Sequence, residues 1–441
     1  MRHRLGAAVI VAAFSTLSVT AHADALSDLF TRGTVDGELR AYDFSRGYKV
    51  ETSAKPNSHA FSAAILLNAK TASLHGFSLG ASLASANSLD TQSDEEKRID
   101  TTLMGPGNSL TALSQAYLQY QNGWVTLKGG YQYIDTPWLG SSDARAIPAS
   151  YDALTADFKP LAGWDIVALR SFGWKSRTSD GYSNDNLYYP STYRGDALYG
   201  GNNSLPATAP SATGTWALGS TYVSGGLKAQ GWYYDFMDFA NMGYADGSYV
   251  FNTGTTIKPV IGVQFLTETG GSNNIIVDTR TRILGVAGNQ VKSRAWGADL
   301  GLVIPNGRFD VYYNKLSQED GAVGDGAIIS PYTANYGTDP LFTSMMIRTL
   351  VSTGPGQAWK AKATYGFFGN RLKFVAAYAM YSTDLFGEIH DTYFDVVYNF
   401  EGYLKGVQLR DRWEISSGGT GNLNPGNRSS THNRVMVSYK F

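Results

Sequence analysis

The feature that most limits the possible folds is a repeated stretch of about ten residues in which apolar and polar side chains alternate. In the stretch 33–44, Leu39 and Ala41 share one face, while Glu38 and Arg40 share the other. Successive side chains of a β-strand point to opposite faces of the sheet, so this pattern predicts strands whose two faces meet different surroundings. Similar alternation is found at 59–70, 76–86 and 123–133.

Tight turns separate the later alternating stretches. Pro305-Asn306-Gly307 and Gly369-Asn370 each lie between two such stretches, and turns of this kind are strong hairpin signals. Short connections at 305–307, 368–371 and 401–405 alternate with long polar ones. The long polar stretches are 87–109, 174–213, 316–340 and 415–430.

This arrangement predicts a closed sheet in a membrane. No stretch after residue 23 has the roughly 18 consecutive apolar residues that a membrane-crossing helix requires. A sheet can cross hydrocarbon only when it closes and leaves no edge unpaired. One rim of short turns and one of long loops is typical of outer-membrane barrels. We therefore predict an all-β fold, a transmembrane antiparallel up-and-down β-barrel of about 18 strands, with 16 as the alternative.

The first residues have the character of a signal peptide. Two arginines precede an apolar stretch at 5–17, and Ala21-His22-Ala23 offers a cleavage site. That stretch is too short to span a bilayer, so a membrane anchor is the less favoured alternative. We expect residues 1–23 to be a signal peptide and residues 24–441 to form the barrel.

Charge and cysteine content exclude other classes. The chain has no cysteine, so we expect its stability to come from backbone pairing and burial. A formal net charge of −1 gives no indication of a nucleic-acid partner.

Charged residues share one face of the predicted strands, and ionised groups on the lipid face of a barrel are costly, so this face must line water. The inward basic residues are Arg40, Lys128, Lys360, Lys362, Arg410 and Arg412. Residues two positions apart on a strand are about 7 Å apart, so these cations could pass an anion from site to site. Alternatively, acids such as Glu38, Asp299 and Asp395 neutralise them.

The stretch 135–148 interrupts the alternation and carries two prolines that stiffen it. We expect an inward-folded constriction loop near 134–150, in which Asp143 and Arg145 present opposite charges beside Ser142. A plain surface loop is the alternative interpretation.

Aromatic residues near strand ends predict girdles at the lipid–water interfaces. They are Tyr131 and Tyr133, Trp232 to Tyr234, Tyr312 and Tyr313, and Tyr378 and Tyr381. Core aromatics of a soluble β-sandwich are the alternative. The final alternating stretch contains Tyr439 and ends on Phe441, which resembles the assembly signal of outer-membrane barrels.

The sequence gives no indication of a metal-dependent hydrolase or a nucleotide-binding enzyme. No H-E-x-x-H or Walker-type motif occurs, so we expect neither an enzyme nor a cofactor. Glu319, Asp320 and Asp325 could hold Ca²⁺ in an external loop, although a solvated loop is the better interpretation.

Several motifs resemble those of OprD-type outer-membrane porins. The stretch 37–48 resembles their opening strand, and 74–80 resembles their second hairpin. Residues 141–148 are similar to their S-x-D-x-R-x-x-P constriction segment, and 404–413 to their late L-K-G-x-x-L-R-x-R-[YW] strand. The stretch 339–344 also resembles a family segment, whereas 174–213 matches nothing.

The resemblance implies a barrel of about 18 strands, an inward-folded loop and a ladder of basic residues. It implies a passive channel for small hydrophilic solutes, including carboxylate-bearing compounds or amino acids. A general non-selective porin, a plugged structural or adhesin barrel and a soluble periplasmic β-protein remain alternatives. The expected partners are membrane lipid, lipopolysaccharide, small solutes and the outer-membrane assembly machinery, and both a monomer and a trimer remain open.

Overall fold

The computed structural model describes residues 23–53, 55–141, 144–182, 214–237, 240–270, 290–328, 339–420 and 428–441. Within these ranges the chain forms one sheet of eighteen antiparallel strands. The strands β1 to β18 are Thr34–Tyr48, Ser58–Lys70, Phe77–Asn87, Ser109–Asn122, Val125–Gln132, Ser150–Phe158, Trp164–Lys175, Thr215–Ser224, Leu227–Phe236, Ala240–Val250, Lys258–Thr269, Lys292–Ile304, Gly307–Leu316, Gly356–Phe367, Leu372–Thr383, Gly387–Asn399, Val407–Gly418 and Ser430–Lys440.

The sheet closes on itself. Each strand pairs with the next in sequence, and β18 pairs back with β1, with Leu39 opposite Tyr439. Beyond β18, Phe441 and Gly37 exchange two backbone hydrogen bonds of 3.0 Å. None of these eighteen described strands has an unpaired edge, as a sheet in hydrocarbon requires. The predicted up-and-down barrel of about 18 strands is confirmed.

The two faces of each strand differ as the alternation predicts. On β1, Arg40 points inward and is 4% exposed, while its neighbour Leu39 points outward and is 45% exposed. At two places one strand of a pair has an extra residue, and the register shifts there so that the same faces continue to point inward and outward. The extra residues are Ser114 on β4, opposite the step from Ser82 to Leu83, and Phe172 on β7, opposite the step from Asp152 to Ala153.

Short and long connections mostly separate onto opposite ends of the barrel. In the turn after β14, Gly369 and Asn370 have positive φ angles of 66° and 69°, as a tight hairpin between twisted strands requires. The long connection after β13 extends to residue 355 and not only to 340. Two connections at the long-loop end, 237–239 and 384–386, are short, so the alternation in length is not strict.

The prediction of interfacial aromatic girdles is wrong for four of its nine residues. Tyr233, Tyr313 and Tyr378 face outward, but Trp232, Tyr234, Tyr312 and Tyr381 lie on the inner face. Neighbouring residues on a strand cannot share a face, so adjacent aromatics cannot all belong to a girdle. The inward rings pack against loops that enter the barrel.

Two short α-helices complete the described chain, α1 at Ala23–Thr31 before β1 and α2 at Leu350–Thr353 before β14. Across the described residues, no helix has the length and apolar character needed to cross a membrane. The predicted signal peptide, apart from Ala23, lies outside the described residues.

Candidate functional site: the narrowed lumen

The connection 133–149, which we call the constriction loop, crosses the inside of the barrel. The hydroxyl of Tyr234 on β9 accepts a hydrogen bond from the backbone N–H of Trp138. The guanidinium of Arg40 on β1 donates to the carbonyl of Arg145 at 2.9 Å. Because β1 and β9 are eight steps apart in an eighteen-strand barrel, these two contacts lie on nearly opposite sides of the lumen.

The constriction loop carries its own apolar packing. The side chains of Trp138, Leu139, Ala146 and Ile147 are completely buried, with their surroundings supplied by the inner wall and a neighbouring loop. A solvated surface loop would leave such side chains exposed to water. Ser142 and Asp143, two of the three residues predicted to set the constriction, lie outside the described residues.

A second inward segment, 88–108, supports the constriction loop. The backbone N–H of Ala146 donates to the carbonyl of Leu103, whose side chain is completely buried. The carboxylate of Asp100 accepts hydrogen bonds from Thr102 and lies 3.5 Å from the guanidinium of Arg46. Burial raises the pKa of Asp100, but Arg46 and Thr102 more than offset this, so that its pKa lies below the usual value. Asp100 is therefore ionised at neutral pH.

A third inward segment, 339–349, follows the inner wall from β11 to β17. Its backbone amides are bound by wall side chains: Gln264 accepts from Phe342, and Asn314 accepts from Thr343. Farther along, the carboxylate of Glu414 accepts from two successive backbone N–H groups at 3.0–3.1 Å. A segment without strand partners must satisfy its backbone polar groups in this way, so the wall fixes its position.

Arginines gather around one aromatic pair beside these segments. The guanidinium carbon of Arg145 lies 5.5 Å from the centre of the Phe44 ring, and that of Arg434 lies 4.9 Å from it. Arg40 lies 5.7 Å from the Tyr42 ring on the same strand. The aromatic faces attract these cations and hold the three guanidinium groups near one another.

The predicted pair Arg410 and Arg412 has two different environments. Arg410 makes two hydrogen bonds of 2.6–2.8 Å to the carboxylate of Asp395, which neutralises it. Arg412 donates instead to the hydroxyl of Tyr393 at 2.9 Å. Arg434 stands directly opposite Arg412 in the sheet.

The lysines also differ among themselves. Lys360 is buried and donates to the carbonyl of Ser344 at 2.9 Å, so it supports the third inward segment. Lys362 is half-buried and forms no ion pair with the described residues. Lys128 lies 4.4 Å from the centre of the Tyr117 ring.

The structure brings some of the predicted basic residues together. Lys360 and Lys362 on β14 and the arginine pair on β17 share one side of the wall, and Arg40 is bound to the backbone carbonyl of Arg145. Lys128 lies on β5, nine steps from β14 and therefore across the lumen. The acids proposed as neutralisers are also engaged: Glu38 binds Arg40, Asp299 binds Arg308 and Asp395 binds Arg410. The wall thus contains both neutralised and unneutralised cations.

Sequence reasoning missed Arg434, Arg46 and the third inward segment. Arg434 could have been selected by parity, because it shares the inner face of β18 with Met436. The pairing of Arg434 with Arg412 depends on the register between two strands, which one sequence does not specify.

Among the described residues, no group of three or more His, Cys, Asp and Glu side chains could hold a metal ion. Glu319, one of the acids considered for Ca²⁺, is bound by Arg294 and Lys292.

Comparison with solved structures gives matches over nearly the whole chain. OccK9 (OpdG) of Pseudomonas aeruginosa has 17% sequence identity and a TM-score of 0.72, covering 94% of this chain and 99% of that one. A BenF-like porin from Pseudomonas fluorescens Pf-5 has 14% identity and a TM-score of 0.72, with the same coverage. OpdK of Pseudomonas aeruginosa with vanillate has 14% identity and a TM-score of 0.69, again covering 94% and 99%.

OpdK is described as an outer membrane protein. No protein-family model and no curated protein sequence matches the chain. The structural matches extend over nearly the full length of OprD/Occ porins, so the fold that the sequence resemblance implied is confirmed.

Proposed function

We propose that this chain is a passive diffusion channel of the bacterial outer membrane that favours small, carboxylate-bearing solutes. The observation that carries the proposal is a set of inner-wall cations beside the inward segments. Arg412, Arg434 and Lys362 form no ion pair with any residue within the described ranges. Cations without a protein carboxylate attract anions from the water that fills the lumen.

The chemistry around these cations suits an anion with an apolar body. Phe342 on the third inward segment and Tyr312 on β13 are both partly exposed and contact each other at a ring separation of 5.8 Å. A carboxylate can form charge-assisted hydrogen bonds to the guanidinium groups while its apolar part contacts the rings. The OpdK structure contains vanillate, an aromatic carboxylate, and that solute class therefore supports the same choice here.

The cations that are paired with carboxylates have a structural role. Arg40 and Arg410 are bound to carboxylates and, in the case of Arg40, to the backbone of the constriction loop. They fix the geometry of the wall, and the unneutralised group supplies the attraction for anions. A zwitterionic amino acid could use both, because carboxylates and guanidinium groups line the same lumen.

The apolar packing of three segments inside the barrel favours one alternative, a plugged barrel without transport. A second alternative is a general, non-selective porin. Conductance decides among them, because a plugged barrel passes no ions and a general porin is insensitive to specific solutes.

The test uses the purified full-length protein in planar lipid bilayers. We expect discrete conductance steps, a zero-current potential in a KCl gradient that indicates anion preference, and inhibition of the chloride current by vanillate. The methyl ester of vanillate lacks the carboxylate and should inhibit less. The absence of conductance would reject the channel. A current unchanged by any organic acid or amino acid would reject the selectivity.

A further inference from the structure

An apolar groove of about 810 Å³ lies on the outer face of the barrel, across β9 to β12. Its lining includes Gly231, Gly243, Ala245, Phe265, Thr267 and Trp296. The groove lies toward the ends of the strands that carry the long connections 270–291 and 317–355. In an outer-membrane barrel that end faces the outside of the cell. The groove therefore opens into the outer leaflet.

The strand register explains why the surface is concave there. Ala245 lies between Gly231 and Phe265, and Gly243 lies between Tyr233 and Thr267. Small side chains form the floor, and the exposed rings of Tyr233 and Phe265 form its sides. A Cβ atom added at Gly231 would meet no other atom within 4 Å, so the space above the floor is open.

Three cations stand at the external end of this groove. Arg294 is directly across the sheet from Thr267 and its side chain is 63% exposed, and Lys292 is on the same face of β12. Lys315 is opposite Trp296 and so points outward as well. Lys315 forms no ion pair within the part of the chain that the structure describes.

One carboxylate only partly neutralises the three cations. Glu319 accepts hydrogen bonds from Arg294 and from Lys292, the latter at 2.7 Å. These bonds lower the pKa of Glu319, so it is ionised at neutral pH. The three cations outnumber the one carboxylate that binds them, and the carboxylate of Asp235 lies three strands from Lys292 in the same cross-strand row, at the far side of the groove.

We propose that this groove and its three cations bind one phosphorylated, multiply acylated lipid of the outer leaflet, of the lipid A type found in lipopolysaccharide. An acyl chain lies over Gly231 and Ala245, and phosphate oxygens accept charge-assisted hydrogen bonds from Lys292, Arg294 and Lys315. The inference rests on the proposed function, because it requires the barrel to lie in the outer membrane. A free phosphate would use the cations but leave the groove empty.

Binding of bis-phosphorylated lipid A to the full-length protein in neutral detergent micelles tests the site. Replacing all three cations, K292Q with R294Q and K315Q, should weaken binding roughly tenfold to a hundredfold at low salt. G231L should fill the groove and weaken binding several-fold without removing a charge. The matched control is K159Q with R371Q and K405Q, which removes three cations at the short-turn end. The affinity of this control variant for lipid A should stay within about twofold of that of the native protein.

Three results would overturn the lipid site. The first is equal affinity in the native protein and the three-cation variant. The second is an equal loss of lipid A affinity in the control variant, because binding would then depend on the net charge of the protein and not on the position of the cations. The third is that inorganic phosphate displaces lipid A completely while G231L leaves the affinity unchanged. The site would then bind an anion without using the groove for an acyl chain.

The same variants separate this inference from the proposed channel. Each is first checked for folding by the change in electrophoretic mobility on heating, and then for conductance in planar bilayers. Native conductance together with lipid binding that is indifferent to these residues rejects the lipid site and leaves the channel intact. A native protein that passes no current rejects the channel, whatever its lipid binding.

Discussion

Arginine in place of Leu218 should lower the free energy of unfolding in a lipid bilayer by about 2–4 kcal/mol. Leu218 is on the outer face of β8 and is 57% exposed. It shares the outer face of β8 with the exposed rings of Trp216 and Tyr222. The substituted guanidinium would face hydrocarbon, where it loses its hydration.

Arginine in place of Thr221 on the same strand is the matched control. Thr221 points inward and lines a cavity of about 490 Å³ together with Asp165 and Asp246. An added cation there meets water and carboxylates, so the loss should stay below about 1 kcal/mol. Urea unfolding in phospholipid vesicles, followed by tryptophan fluorescence, measures both values. Equal destabilisation by the two variants would contradict the assignment of inner and outer faces.

Reversal of two lumen charges, R412E with K362E, should change the sign of the zero-current potential in a KCl gradient. Neither residue is ion-paired within the described ranges, so each substitution places an uncompensated carboxylate on the inner wall. A unit charge interacts with an ion 4 Å away by about 1 kcal/mol in bulk water and about 4 kcal/mol at an effective dielectric constant of 20. Reversal of two such charges should therefore change the ratio of anion to cation permeability by about tenfold or more.

The control for this reversal is R371E with K405E. Both side chains lie in turns at the short-turn end, outside the lumen. They carry the same change in net charge, yet the ion selectivity should remain close to that of the native channel. The proposal fails if both double variants shift the selectivity equally, or if the lumen variant leaves it unchanged.

The closed barrel could be predicted from the sequence because the alternation is a local property. Whether Leu39 or Arg40 faces lipid depends on the period of two and on the chemistry of the side chains, and both are visible in a short stretch. Hairpin turns such as Gly369-Asn370 are equally local, since they require particular backbone angles.

The narrowed lumen could be predicted only in part, because it depends on contacts between distant segments. The stretch 135–148 stands out by its broken alternation, but its crossing to Tyr234 and Arg40 depends on the completed barrel. The inward aromatics were misassigned to girdles for the same reason. Trp232 and Tyr234 can be buried on the inner face only because loops fill the space beside them.

The arginine cluster shows the same limit. Arg434 and Arg412 are brought together by the register between β17 and β18, and Arg145 is brought to Phe44 by a loop more than a hundred residues away in sequence. Neither distance is encoded in the spacing of residues along one strand.

One face of every strand meets lipid and the other faces the lumen, with its water and its inward segments, and depth-dependent quenching measures this difference at single positions. The chain has no native cysteine, so single cysteines can carry a fluorophore at chosen positions in vesicles that contain nitroxide-labelled lipid. The outward positions are Leu127, Ala361 and Leu409, and the inward ones are Lys128, Lys362 and Arg412. We expect strong quenching at the three outward positions and almost none at the three inward positions. Quenching confined to the inward positions, or equal at all six, would mean that the inner and outer faces are assigned incorrectly.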